Sequence, residues 1–134
     1  LTGANVIECA RTWIPTPYVP QASLKGIGTD CPGLVLGVGR ALGLLGDLTL
    51  PPYTETDPVI LDQLLAAHLD PAPNERIGDV LVLTVGAERR HLAFAAESTI
   101  IHVYGRKYGV TEHIFAESWR RRVLSRWRFR GLDG

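Results

Sequence analysis

The sequence predicts an α+β fold, with helices gathered in the first half of the chain and an antiparallel sheet in the second. Apolar residues recur at helical spacing as far as Leu69. From Val80 onward they fall instead into short β-rich runs separated by polar turns. Helices first and a meander of strands second is the order of segregated α+β domains. With 134 residues, 46% of them hydrophobic, the chain can bury a core without staples, and residues 1–134 read as a single domain.

Val6, Ile7, Ala10, Trp13 and Ile14 predict a first helix, with Thr2 or Asn5 as its cap and Glu8 in capping-box position relative to Asn5. Pro15 and Pro17 end it, and the three prolines and two glycines from Pro15 through Gly28 predict an ordered loop carrying Tyr18. A second helix over 31–42 is apolar on nearly every face, as a buried central helix must be, and Gly33, Gly37 and Gly39 allow close backbone approach. Pro51-Pro52 marks a loop. Asp57 then caps a third helix with Pro58 at its first position; Leu61, Leu64, Leu65 and Leu69 form its stripe, and Pro71 and Pro73 stop it.

Strands follow over 80–85, 91–95, 100–104 and 110–114. One helical turn is expected over 118–123. The run 126–130 alternates arginine with an aromatic ring, as an edge or half-exposed strand would.

Lys+Arg and Asp+Glu both number 14, so no overall charge points to nucleic acid. The distribution is uneven: residues 1–86 carry 4 basic and 9 acidic side chains, and 87–134 carry 10 basic and 5 acidic. The excess is mostly the arginine run, which reads as a solvated face or as a docking surface for an acidic polymer or a partner protein. Trp119 and Trp127 among those arginines suggest an interface. Two cysteines are too few for a disulfide framework. Glu8 and Arg11 interrupt the first apolar stretch, so no signal peptide is expected and the protein is read as made in the cytoplasm. The run 34–45 contains Arg40 and is far short of the ~20 residues a bilayer span needs, so no membrane insertion is expected.

The chemistry centres on Thr29-Asp30-Cys31-Pro32-Gly33-Leu34-Val35. Cys31 sits where a polar loop gives way to an apolar run, at the first turn of a helix. Unpaired N–H groups and the helix dipole favour a thiolate there, below the ordinary thiol pKa of ~8.5. Thr29 or Asp30 can cap that helix, and Pro32 is tolerated in its first turn. His91 and His102 lie on successive strands. If the hairpin pairs residue 95 with 98, His91 stands directly opposite His102 on one face, near enough to hydrogen-bond. A thiol nucleophile, a proton-shuttling histidine and a third group orienting it form a triad; a one-residue slip leaves two ordinary strand histidines. Zinc held by Cys31, His91 and His102 is the metal alternative, without the close Cys/His pairs of structural sites, and no cofactor is expected. Cys9, His68 and His113 read as structural, His113 with no partner in view.

These motifs, in order, are Pro17-Tyr18, the Cys31 segment, Gly78-Asp79-Val80-Leu81, His91-Leu92-Ala93 and Ile101-His102-Val103-Tyr104. Together they resemble the NlpC-type cell-wall cysteine peptidases, compact papain-like enzymes in which a nucleophile helix packs on an antiparallel sheet. The segment Gln21-Ala22-Ser23-Leu24-Lys25-Gly26, with Trp119-Arg120-Arg121-Arg122 and Trp127-Arg128-Phe129, resembles the branch carried by tailed phages and gene transfer agents. The resemblance spans Val6 to Phe129. It implies Cys31 as nucleophile, His91 as general acid–base and His102 as its orienting partner. It further implies Tyr18 and Asp30 as contacts for the free amine of a peptidoglycan stem peptide, and tail hub or baseplate proteins as partners. Pro32 replaces the small hydroxyl residue many members have after the cysteine, and Pro15 stands where many have glycine. The other readings are a catalytically silent tail subunit and an amidase or acyltransferase using the same nucleophile.

Overall fold

The computed structural model describes residues 1–54, 58–86 and 89–134. Helix α1 (Gly3–Arg11) leads through the proline loop and a small hairpin, β1 (Ser23–Leu24) and β2 (Gly28–Thr29), to helix α2 (Cys31–Ala41). Helix α3 (Pro58–His68) precedes β3 (Leu69–Pro71), β4 (Val80–Val85), β5 (Arg89–Ala95) and β6 (Thr99–Val103). The chain closes with α4 (Gly105–Tyr108), β7 (Val110–Ile114), α5 (Glu117–Arg120) and β8 (Val123–Phe129). The six long-range strands form one antiparallel sheet in the order β3-β8-β4-β5-β6-β7, the α+β arrangement expected.

Both faces of the sheet are covered, which is why 80–83 is an unbroken apolar run rather than an alternating one. Val80, Val82, Phe94 and Ile101 pack on one face against Val6, Leu34 and Val38 of the first two helices. Leu81, Leu83, Ala93, Ala95 and Ile100 pack on the other against Phe115 and Trp119. Helix α2 lies close to its neighbours because it carries glycine where they meet. A Cβ on Gly37 would come within 2.2 Å of the Trp13 ring, and one on Gly33 within 2.0 Å of the Ala22 carbonyl oxygen.

Several details depart from expectation. The Asn5 carboxamide, not Glu8, accepts the Thr2 backbone N–H at 2.8 Å, so Thr2 is the cap and Asn5 lies one turn inside. The expected Asp57 cap lies outside the described residues. Of the two readings of 126–130, the half-exposed strand holds and the edge does not: β8 is paired on both sides, and the edge beside it is β3, ending on Pro71. Proline suits an edge because it has no N–H to give a ladder. An internal strand can carry these arginines because those on and around β8 meet acidic partners of this same chain. Arg128 forms a forked pair with the buried Asp79 at 2.7 and 2.9 Å, Arg130 meets Asp70 at 2.9 Å, and Arg120 and Arg126 flank Glu75. Among the described residues no helix is long and apolar enough to cross a membrane.

Candidate active site

Cys31 is the first residue of α2, and Asp30 caps that helix by accepting the Gly33 N–H at 2.8 Å. Pro32 has no N–H and Gly33's is taken by the cap. The Cys31 N–H is therefore the first-turn donor left beside the sulfur. The loop before it is strapped down by Thr29, whose N–H donates to the Pro17 carbonyl at 2.9 Å while its carbonyl accepts the Val19 N–H at 3.0 Å. That strap places Tyr18 in the same cleft as Cys31. Tyr18, Asp30, Cys31, His91 and His102 line one cleft of about 470 Å³, so the five residues singled out from the sequence come together.

The histidines meet by a different register from the one expected. Strand β5 pairs with β6 through Phe94↔Ile101 and Ala95↔Ile100, with the tight turn centred on Glu97-Ser98 rather than one residue earlier. His91 is therefore a diagonal neighbour of His102, not its direct opposite. A two-residue shift leaves both on the same face, and diagonal neighbours remain within reach of long side chains. His91 Nε2 lies 2.6 Å from His102 Nδ1, with the rings edge-on at 83°.

The chain of rings does not stop there. His102 pairs across β6–β7 with Thr111, and His113, two residues further along, reaches back so that its Nε2 lies 2.7 Å from His102 Nε2. The expectation that His113 has no partner is overturned. It was missed because strand spacing shows which residues share a face, whereas this contact depends on β7 pairing with β6. Trp119, expected in an interface, packs inward at 5.1 Å from the His102 ring and 5.2 Å from the His113 ring, and Tyr104 stacks on His102 at 5.2 Å.

The electrostatics correct the thiolate expectation. Burial pushes the Cys31 thiol up to about 12; hydrogen bonds from the Leu92 and Cys31 backbone N–H groups pull the other way, and the Asp30 charge raises it further. Desolvation outweighs the helix terminus because the sulfur lies against the sheet. Burial lowers His91 to about 4, and lowers His102 strongly too, with His91 and His113 on either side adding to the effect. The thiol and the imidazole that line this cleft thus both rest neutral.

Tyr53 was missed in the sequence. It lines the same cleft, and its hydroxyl donates to Asp30 Oδ2 at 2.5 Å, beside the Gln21 N–H at 2.6 Å. Burial and the Asp30 carboxylate both raise its pKa. Its only signal was a tyrosine directly after Pro51-Pro52. Arg90 and Arg106 also line the cleft, Arg106 lying 5.9 Å over the Tyr18 ring. Among the described residues no group of three or more His, Cys, Asp or Glu is arranged to hold a metal ion. The three imidazoles bond to one another in series instead of converging on a point.

No family profile and no curated protein matches the sequence. Solved structures do match by shape. The NlpC/p60 domain of peptidoglycan hydrolase SagA is 19% identical, with a TM-score of 0.66 over 96% of this chain and 100% of that one. An NlpC/P60 family protein from Bacillus cereus is 15% identical, with a TM-score of 0.70 over 96% of this chain and 40% of that one. NlpC2 from Trichomonas vaginalis is 17% identical, with a TM-score of 0.70 over 95% and 46%. The chain has the NlpC/p60 fold; it spans the whole SagA domain and less than half of the other two proteins.

Proposed function

We propose, from the NlpC/p60 fold and the cysteine–histidine cleft at its helix–sheet junction, that this chain hydrolyses an amide bond in peptidoglycan stem peptides. The observation that carries the reading is His91, whose Nε2 is taken by His102, leaving Nδ1 for Cys31 in the shared cleft. His91 Nδ1 takes the thiol proton as Cys31 Sγ attacks the carbonyl carbon, and the Cys31 N–H meets the oxyanion, with the Tyr18 hydroxyl as a second donor. His91 returns the proton to the leaving amine as the C–N bond breaks, giving a thioester. Water deprotonated by His91 then releases the acid. Asp30 supplies negative charge beside the nucleophile for the free amine of the stem peptide, in a form shaped by its bond to Tyr53.

The finer reading, a tail component of a phage or gene transfer agent docked on hub or baseplate proteins, is supported by the resemblance of the 21–26 and 119–129 segments. The hairpin region also leaves Leu24 and Ile27 59% and 71% exposed. Immunoblotting of purified particles tests it, and absence of the chain from them rejects it.

The activity is tested by digesting purified peptidoglycan with wild type and Cys31→Ala and identifying the released fragments by mass spectrometry. Stem-peptide pieces with new carboxylates from the wild type alone support hydrolysis. Transferred acyl groups point to an acyltransferase, and intact wall in both tubes points to a silent structural subunit.

A further inference from the structure

We propose that His113, on the edge strand β7, is a positioning residue that fixes the protonation pattern of the whole imidazole chain and so leaves His91 Nδ1 bare to act as base. The inference rests on the reading of Cys31 and His91 given above and extends it by one residue.

The argument starts from an atom that cannot donate. His113 Nδ1 lies 2.9 Å from the Ile114 carbonyl oxygen, which can only accept, so Nδ1 carries the hydrogen. In a neutral ring Nε2 is then an acceptor, and the partner 2.7 Å away, His102 Nε2, must donate to it. A neutral His102 with its proton on Nε2 has a bare Nδ1, which accepts from His91 Nε2 at 2.6 Å. A neutral His91 with its proton on Nε2 has a bare Nδ1. One backbone carbonyl thus sets three tautomers in a row.

The burial of the central ring makes this matter. His102 is fully buried, stacked by Tyr104 and met edge-on by Trp119, so it cannot exchange its partners for water. Without an acceptor at position 113, His102 is free to place its proton on Nδ1 and donate to His91 Nε2. The His91 proton then sits on Nδ1, where the ring cannot take a proton from the thiol. His113 itself does not line the cleft; it meets the cleft only through His102, Tyr104 and Trp119.

The test compares wild type with His113→Leu, which keeps the packing against Trp119 but removes the acceptor, and His113→Gln, whose amide oxygen can replace Nε2. Side-chain ¹⁵N NMR of histidine-labelled protein at pH 7.5, without substrate, reads each ring. The wild type is expected to show Nε2–H tautomers at His91 and His102 and an Nδ1–H tautomer at His113. His113→Leu is expected to mix the His102 and His91 tautomers and lower kcat by at least about tenfold, by analogy with the outer hydrogen-bond partners that fix the tautomer of metal-bound histidines. KM should stay nearly constant, and His113→Gln should restore both readouts. Unchanged His91 and His102 tautomers in a folded His113→Leu protein, or a His113→Gln protein no better than His113→Leu, would overturn the assignment. Should the wild type leave peptidoglycan intact, the NMR arm still decides the role of His113, so failure of the substrate reading is told apart from failure of this one.

Discussion

The Tyr53 hydroxyl lies 2.5 Å from Asp30 Oδ2, so the carboxylate preceding Cys31 already has three donors: this hydroxyl and the N–H groups of Gln21 and Gly33. Asp30 is 1% exposed. Asp30→Asn keeps the shape but turns one acceptor into a donor facing a backbone N–H. A loss of about 1–3 kcal/mol is expected, read by urea denaturation. Tyr53→Phe should cost less, because the freed oxygen borders a cleft that admits water.

Cys31 should behave as a buried thiol in the free protein. Its pKa is raised to about 12, and His91, lowered to about 4, carries no charge at neutral pH to hold a thiolate. The rate of alkylation by iodoacetamide should therefore climb steadily from pH 7 to 10. A plateau already reached near pH 6 would show a resting thiolate–imidazolium pair instead.

Acid should destabilise the fold through the histidine chain. His91 titrates at about 4 when folded against 6.5 ordinarily, so between those values the unfolded chain binds more protons. The stability is complete above 6.5 and is lost as pH falls through 4. This residue alone accounts for roughly 3 kcal/mol, with His102 acting in the same direction. Chemical denaturation of wild type and His91→Gln from pH 7.5 to 4.5 should show a shallower slope in the variant.

Arg90 and Arg106 line the cleft and suit a substrate bearing carboxylates, as stem peptides do. Replacing both with Ala should raise KM severalfold with little change in kcat, and the loss should shrink as salt is added, since partly exposed charges are screened. Equal KM values at low salt would remove them from substrate binding.

Much of this was legible because burial and periodicity are local. The helix that presents Cys31 is announced by the apolar run behind a capping Asp30, and four strands of the sheet by their β-rich runs. The shared face of His91 and His102 survived a mistaken register because a two-residue shift preserves facing. What was not legible depends on contacts far apart in sequence. The edge strand at Pro71, the pairing of the arginines with Asp79, Asp70 and Glu75, and the reach of His113 to His102 all arise only once β8 and β7 have taken their places. The sign of the Cys31 shift failed similarly: the helix terminus is visible in the sequence, whereas the packing of Leu92 and the sheet against the sulfur is not.

The most direct measurement is the intact mass of the protein, quenched in acid within its first turnovers of a stem peptide and then mapped by proteolysis. An added acyl mass on the fragment containing Cys31, absent in Cys31→Ala and decaying as free acid appears, is the expected result. Stem-peptide hydrolysis that continues undiminished in Cys31→Ala, with no adduct on the wild type, would contradict a nucleophilic Cys31 and the mechanism built on it.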